Sequence, residues 1–343
     1  MGRRMKRHWL LAASVVLTTA GLTTPAQLSA EPYFMVPLDQ EEKPGRCNSE
    51  VYAEAIYWAP NPLEFNYADV GNIDPPNLFQ NTAVREDLTG HLLDPGYDWG
   101  FRFGYRMNRG RWFVHTDFVW IEMEKVMNTT RGPNNTMSIP NLNGSASQVT
   151  AFNIARANSN TQYDNAALYV GFRGCDTCRG YFETFMVAEA FYFRFRARVR
   201  GQGLAIITGQ PNFPIYGEFT QEFENVGLGL GSGLRLYGNL GCGFSVGGAF
   251  EAFGSVSRVN GLFEANSLTP VVIAGTTIYQ DQRVPTVATS HNCFALGFKG
   301  RIGAEYNSCC FGCVSFNGRI GYEIQLVKIG LVGGPFVGLG VNF

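Results

Sequence analysis

The 343-residue chain is short of charge, with Asp, Glu, Lys and Arg at 16% of its residues against about 25% in an average soluble chain. Neither sign dominates, at 27 Lys+Arg and 28 Asp+Glu, and the clustered basic surface that a nucleic-acid partner requires is missing. Beyond residue 30 no apolar run approaches the roughly 18 residues needed to cross a bilayer as a helix, which excludes a helical membrane bundle. Histidine is scarce, with 4 in all. No paired-acid motif or Ser/His spacing accompanies these histidines. The glycine-rich run 227–233 lacks the lysine and the following helix of a phosphate loop. Disorder is excluded as well, because 45% of the residues are hydrophobic and the net charge is near zero.

Glycine and aromatics are abundant instead, with 41 Gly, 27 Phe and 15 Tyr. The glycines follow no three-residue period, so the chain is not collagen-like. The first thirty residues read as an export signal. Arg3, Arg4, Lys6 and Arg7 precede an apolar stretch at 9–20, and small residues up to Ala30 follow. Its removal leaves the remainder mildly acidic. A segment at 31–50 then leads into the body of the chain at 51–343. All eight cysteines lie beyond the signal, in a compartment where disulfides are permitted.

From residue 98 onward apolar and polar residues alternate with the period of two that marks strands. Trp99, Phe101, Phe103 and Tyr105 share one face, with Arg102 and glycines on the other. After a tight turn near Gly110, Trp112, Val114, Thr116, Phe118 and Trp120 continue an apolar face opposite His115 and Asp117. The pattern recurs around 168–172, 191–200, 226–236, 244–252, 294–305, 314–325 and 337–343. A soluble β-sandwich also alternates, but three features favour a closed antiparallel transmembrane β-barrel. The strands read as about 9 to 14 residues, enough for a tilted crossing. Glycine and isolated charges fill the polar face. Aromatics such as Tyr57 with Trp58, Trp99 with Tyr105, Trp112 with Trp120 and Tyr306 with Tyr322 sit where girdles belong. The connections alternate between short (106–111, 174–180, 237–243, 307–313) and long (59–97, 124–164, 201–222, 257–291). This predicts about ten strands, within a range of eight to fourteen, with short periplasmic turns and long extracellular loops.

The segments EAIYW (54–58), DWGFRFGY (98–105), LGFKGRIGAEY (296–306) and RIGYEIQ (319–325), with the block 227–253 and the final Phe343, resemble the Legionella-type major outer-membrane, pore-forming protein family. That family has relatives in chlamydia-like bacteria, whose envelope proteins are often cysteine-rich. The resemblance implies a porin-like barrel in the bacterial outer membrane and supplies no catalytic residue. Phe343 after alternating apolar residues is also similar to the signal read by the outer-membrane assembly machinery.

The sharpest chemical feature is the run Arg194, Arg196, Arg198 and Arg200. Side chains on one face of a strand are about 6.6–6.8 Å apart. On the lipid face each arginine would cost about 2–4 kcal/mol at midplane, so the run faces inward or lies outside the bilayer. Inside, it would favour anions or pair with Glu251, Glu305 or Glu323 in a lattice that plugs the lumen. The pore-lining candidates are Arg102, Asp117, Arg194, Arg196, Arg198, Arg235, Glu251, Lys299, Arg301, Glu305, Arg319 and Glu323.

Cys47, Cys175, Cys178, Cys242, Cys309, Cys310 and Cys313 fall at the short-turn end, and only Cys293 does not. Disulfides within the chain, cross-links to other cysteine-rich envelope proteins, and a metal site all fit the C-x-x-C at 175–178. His91, His115 and His291 would sit near the outer rim. The expected function is passive diffusion of small polar solutes or ions, without enzyme activity or cofactor. The alternative is a structural or adhesive barrel tied into the envelope through its cysteines. Expected partners are outer-membrane lipid, the barrel assembly machinery, further copies of the chain and other envelope proteins.

Overall fold

Period-two alternation becomes strand wherever each backbone can pair on both sides, and in hydrocarbon every strand must do so, because an unpaired backbone group costs several kcal/mol there. The computed structural model describes residues 49–62, 66–72, 89–92, 97–130, 135–138, 152–177, 179–205, 213–273, 276–308, 314–327 and 330–343. The expected signal at 1–30 and nearly all of the segment 31–50 lie outside the described residues. The strands are β1 (Ser49–Pro62), β2 (Asn66–Asn72), β3 (Thr89–Leu92), β4 (Asp98–Arg109), β5 (Trp112–Thr130), β6 (Asn135–Ser138) and β7 (Phe152–Thr177). They continue with β8 (Gly180–Ala205), β9 (Phe213–Gly241), β10 (Phe244–Ile273), β11 (Thr276–Asn307), β12 (Ser315–Val327) and β13 (Gly330–Asn342). Ten of them close an antiparallel ring in the order β1-β13-β12-β11-β10-β9-β8-β7-β5-β4, while β2, β3 and β6 form a separate three-stranded sheet. The closed barrel of ten strands is the fold that the sequence pattern predicts.

The ring is closed by Ser49 and Phe343, whose backbones exchange hydrogen bonds at 3.0 and 2.8 Å. Short turns join the strands at this end. Gly110 has φ 61° in the β4–β5 turn, and Cys242 (φ 52°) and Gly243 (φ 84°) form the β9–β10 turn, where two successive positive φ values match the right-handed twist of a hairpin. Starting from these turns, the outward face of each strand is apolar. Trp112 to Trp120 on β5, Val226 to Leu240 on β9 and Phe294 to Tyr306 on β11 belong to it, and Leu230, Leu339 and Ile302 are 72%, 73% and 68% exposed. Soluble monomers rarely show an apolar patch above a few hundred Å². This belt encircles the barrel.

Strand lengths depart from the expected 9 to 14 residues. β4, β12 and β13 have 12 or 13 residues, but β7 and β8 have 26, and β9, β10 and β11 have 29, 30 and 32. At about 3.3 Å per residue β11 runs for roughly 100 Å, several times a bilayer crossing. Most of the predicted long loops at 201–222 and 257–291 are therefore strand. The reason is a change of solvent. Above the belt on β7 to β9 polar residues take the outer face and water, while apolar residues such as Ala157, Phe195 and Phe219 take the inner face, so the sequence keeps alternating while the roles of the two faces exchange.

Candidate functional site: the lumen and the outer wall

Among the described residues, the inner face of the belt region carries most of the buried charge. Parity places Arg102 and Arg106 on β4, Asp117 on β5, Arg235 on β9, Glu251 on β10, Lys299, Arg301 and Glu305 on β11, and Arg319 and Glu323 on β12 inside the barrel. All the corresponding sequence candidates outside β8 are thus lumenal. Arg102 lies among three carboxylates, with Nη1 2.9 Å from Glu54, Nη2 2.7 Å from Glu323 and Nε 3.7 Å from Asp117. Arg301 reaches Glu54 at 2.5 Å. Glu183 gathers Arg106, Arg173 at 3.1 Å and Arg235 at 3.9 Å. Lys299 joins Glu189 and, at 3.4 Å, Glu251. Arg319 joins Glu50 and, at 3.6 Å, Glu305.

Aromatic faces complete the shell around these cations. Arg301 lies 3.9 Å from the Phe336 ring centre, Arg106 4.4 Å from Phe113 and Arg235 4.7 Å from Phe185. His115 is held between Tyr52, at 2.7 Å from Nε2, and Arg235, at 3.2 Å from Nδ1. An arginine can only donate, so Nδ1 is the acceptor and Nε2 carries the proton toward Tyr52, whose hydroxyl donates to Asp117. His115 is therefore a lumenal residue and not the rim residue expected from the sequence.

Glycines give this filling its room. A Cβ on Gly227 would lie 2.4 Å from the Phe191 ring, on Gly233 2.4 Å from Phe185, and on Gly297 2.2 Å from Phe253. These inner-face glycines are sockets for neighbouring rings.

Above the charges the lumen turns apolar. Ile56 and Trp58 from β1, Val119, Ile121 and Met123 from β5, Tyr163 from β7, Phe191, Phe193 and Phe195 from β8, and Val332 from β13 form one buried cluster. Trp58 belongs to this core, so it is not the girdle residue that its neighbour Tyr57 suggested. Gln325 on β12 donates to the Tyr163 hydroxyl on β7 at 2.7 Å. A cavity of about 140 Å³ remains among the charged side chains, lined by Tyr52, Arg106, His115, Glu251, Lys299 and Glu305 among others.

Arg194, Arg196 and Arg198 are not in the lumen. Together with Arg200 they stand on the outer face of β8 above the belt, while Phe191, Phe193 and Phe195 point in. The physical reason lies one turn of parity lower. Phe182, Met186, Ala188 and Ala190 share the arginines' parity and face lipid, whereas Glu183 and Glu189 share the phenylalanines' parity and must avoid it. The same parity would have found Glu183 and Glu189, which the sequence reading missed along with Glu50, Glu54 and Arg106. The ladder pairs with β9 instead of with lumenal glutamates. Arg194 is 2.6 Å and Arg196 3.8 Å from Glu222, and Arg198 and Arg200 are 2.5 and 3.0 Å from Glu218. Burial alone would raise the Glu218 carboxyl. Hydrogen bonds from Tyr216, Arg198 and Arg200 outweigh that and hold it below the usual carboxylate range.

Of the cysteines read as disulfide candidates, Cys242 is an exposed free thiol in its turn. Cys47, Cys178, Cys309, Cys310, Cys313 and the Cys175 side chain lie outside the described residues. Cys293 faces Ser257 inside the barrel at 3.1 Å. His91 lies on β3, and His291 is exposed on β11.

No family model and no curated protein matches the chain. Solved structures do, at low similarity. The outer membrane protease OmpT from Escherichia coli is 10% identical over 86% of this chain and 97% of that one, with a TM-score of 0.37. Ail, the attachment invasion locus protein of Yersinia pestis, is 11% identical over 86% and 99%, at 0.23. The translocator domain of the autotransporter NalP from Neisseria meningitidis is 11% identical over 87% and 90%, at 0.28.

Proposed function

We propose that the chain is a bacterial outer-membrane barrel with a closed lumen, serving as a structural or adhesive scaffold at the cell surface and carrying out no catalysis. The observation that carries this reading is the contact between Gln325 and Tyr163. Their strands stand five places apart in a ring of ten, so this hydrogen bond crosses the full width of the barrel. Below it, the lumenal cations and carboxylates neutralise one another across the ring, and above it the space is filled with aromatic rings. The apolar belt supports the membrane location, and the tall side built from β7 to β11 supplies a surface well beyond the bilayer. Outer-membrane lipid and the barrel assembly machinery are the partners this reading requires. Phe343 would act as the assembly signal. Other cysteine-rich envelope proteins, or a second copy, would be tied through the cysteines of the short-turn end.

The cavity of about 140 Å³ favours a second reading, a diffusion channel for small polar solutes or ions that conducts when the charged lattice rearranges. Liposome swelling with the purified, heat-modifiable barrel separates the two. No flux of arabinose-sized solutes is the expected result, and swelling at a rate proportional to protein would establish the channel.

A further inference from the structure

The arginine ladder is placed and paired in a way that the closed lumen does not explain. On β8 the last lipid-facing residues are Ala188 and Ala190, and Arg194 follows after Tyr192, so the ladder begins where the apolar belt ends. Its four guanidinium groups share two carboxylates, Glu222 and Glu218. The third acid of that column, Glu224, is taken by the Tyr192 hydroxyl at 3.1 Å and by Asn260. On the other flank β7 sets Gln162, Asn160 and Asn158 in register with Arg194, Arg196 and Arg198, and sets a fifth cation, Arg156, opposite Arg200. Cations therefore outnumber the carboxylates bound to them. The side chains of Arg196, Arg198 and Arg200 are 49%, 45% and 46% exposed, and the Arg196 contact is only 3.8 Å.

We propose that this wall docks a phosphorylated glycolipid of the outer leaflet, with its phosphate on the guanidinium ladder and its sugar hydroxyls against the neighbouring amides of β7. Guanidinium forks match phosphate oxygens in pairs and make hydrogen bonds about twice as strong as neutral ones. Spaced about 6.6–6.8 Å apart, they present a column on which one or two phosphates can be bridged. The amide column supplies donors and acceptors between the ladder and the carboxylates Glu122 and Glu124, which stand one strand further away on β5. Glu122 and Glu124 of β5 hold Asn160 and Asn158 at 3.3 and 3.4 Å, which keeps those amides beside the ladder. The level of the ladder selects a membrane amphiphile over a soluble anion, because a lipid seated there keeps its acyl chains against the belt below.

This inference rests on the membrane reading of the belt and is independent of whether the lumen conducts. The test is native mass spectrometry of the full barrel in detergent, titrated with diphosphorylated lipid A and with its dephosphorylated counterpart. Wild type is expected to retain the phosphorylated lipid selectively. The Arg196→Gln/Arg198→Gln variant is expected to bind it at least about tenfold more weakly, the cost of losing a charge-assisted hydrogen bond. Arg196→Lys/Arg198→Lys, which keeps the charges and loses the forks, should fall between, and it carries the test if the glutamine pair fails to give the heat-modifiable folded band. Equal binding by wild type and variant, indifference to the phosphate, or binding of a soluble sulfated polysaccharide in place of the lipid would overturn the proposal. A barrel that conducts leaves it standing, whereas one that does not enter bilayers removes it together with the membrane reading.

Discussion

Gln325 and Tyr163 meet across the diameter of the barrel, with the amide donating to the phenol at 2.7 Å, and Tyr163 in turn lies 6.5 Å, ring centre to ring centre, from Trp58. One polar contact and one aromatic contact thus join β12 and β1, which flank β13, to β7 on the opposite side of the ring. All three side chains are buried. Tyr163→Ala combined with Trp58→Ala is expected to open an ion leak in planar bilayers where wild type is silent. Each single change should cost about 3–5 kcal/mol of stability, as for other buried aromatic truncations. A double variant that folds and stays silent would place the seal elsewhere.

The lattice below predicts strong non-additivity. Arg102→Ala removes the cation that Glu54, Asp117 and Glu323 share and leaves Arg301 to Glu54 and, at 3.9 Å, to Glu323, and breaking such buried pairs costs about 3–5 kcal/mol. Arg102→Ala/Glu323→Gln should recover part of that loss, because it also removes one of the carboxylates that lose this cation. Urea midpoints of the folded barrel in micelles report both. Arg196→Ala on the outer wall should shift the same midpoint by less than about 1 kcal/mol, as exposed pairs do.

Glycine sockets can be tested by contrast. Gly233→Ala would bring a Cβ to 2.4 Å from both the Phe185 ring and the Phe250 carbonyl oxygen, and overpacking of this kind costs about 1–3 kcal/mol. Gly300 has no atom within 4 Å of the same built position. Gly300→Ala is expected to stay within about 0.5 kcal/mol of wild type.

On the extracellular wall, Glu218 has its proton affinity lowered by Tyr216, Arg198 and Arg200. A carboxyl depressed on folding contributes stability above its unfolded pKa and loses it as pH falls through the folded value. The wild-type minus Glu218→Gln difference should therefore be flat through mildly acidic pH and vanish only below the ordinary carboxylate range. Its plateau should not exceed about 1 kcal/mol, given the exposure of the arginines. A difference that disappears already near neutrality would contradict the pairing.

The barrel and its strand number were legible because the period of two, the belt aromatics and the turn residues all point one way. Arg102 and Arg301 were legible for the same reason, since each is flanked by residues that only lipid accommodates. The β8 ladder was not. Alternation separates two faces without saying which is inner, and the answer comes from the belt alone, where Glu183 and Glu189 fix the parity. Above the belt water takes the place of lipid, so Phe193 moves inside and Arg194 outside with no break in the pattern. The height of β9 was hidden by the same exchange, because a polar outer face there reads as loop, and the upper part of β11 is exposed at 286–292 on both faces. That Gly233 and Gly297 seat aromatic rings could not be read from the sequence, because their role depends on which ring stands one strand away.

The pairing of β1 with β13, from Glu50 with Asn342 to Pro62 with Gly330, has a consequence for the order of assembly. Every other neighbour pair in the ring is joined by a turn or by a single connection, the longest being 63–97 between β1 and β4. This seam joins residues separated by almost the whole barrel, and contacts of such separation form slowly because the loop entropy must be met before the contacts repay it. Until β13 arrives, one edge of β1 has no partner and presents open hydrogen-bonding groups to any passing strand. The chain must therefore be kept from pairing with itself wrongly over the whole interval between the first strand and the last.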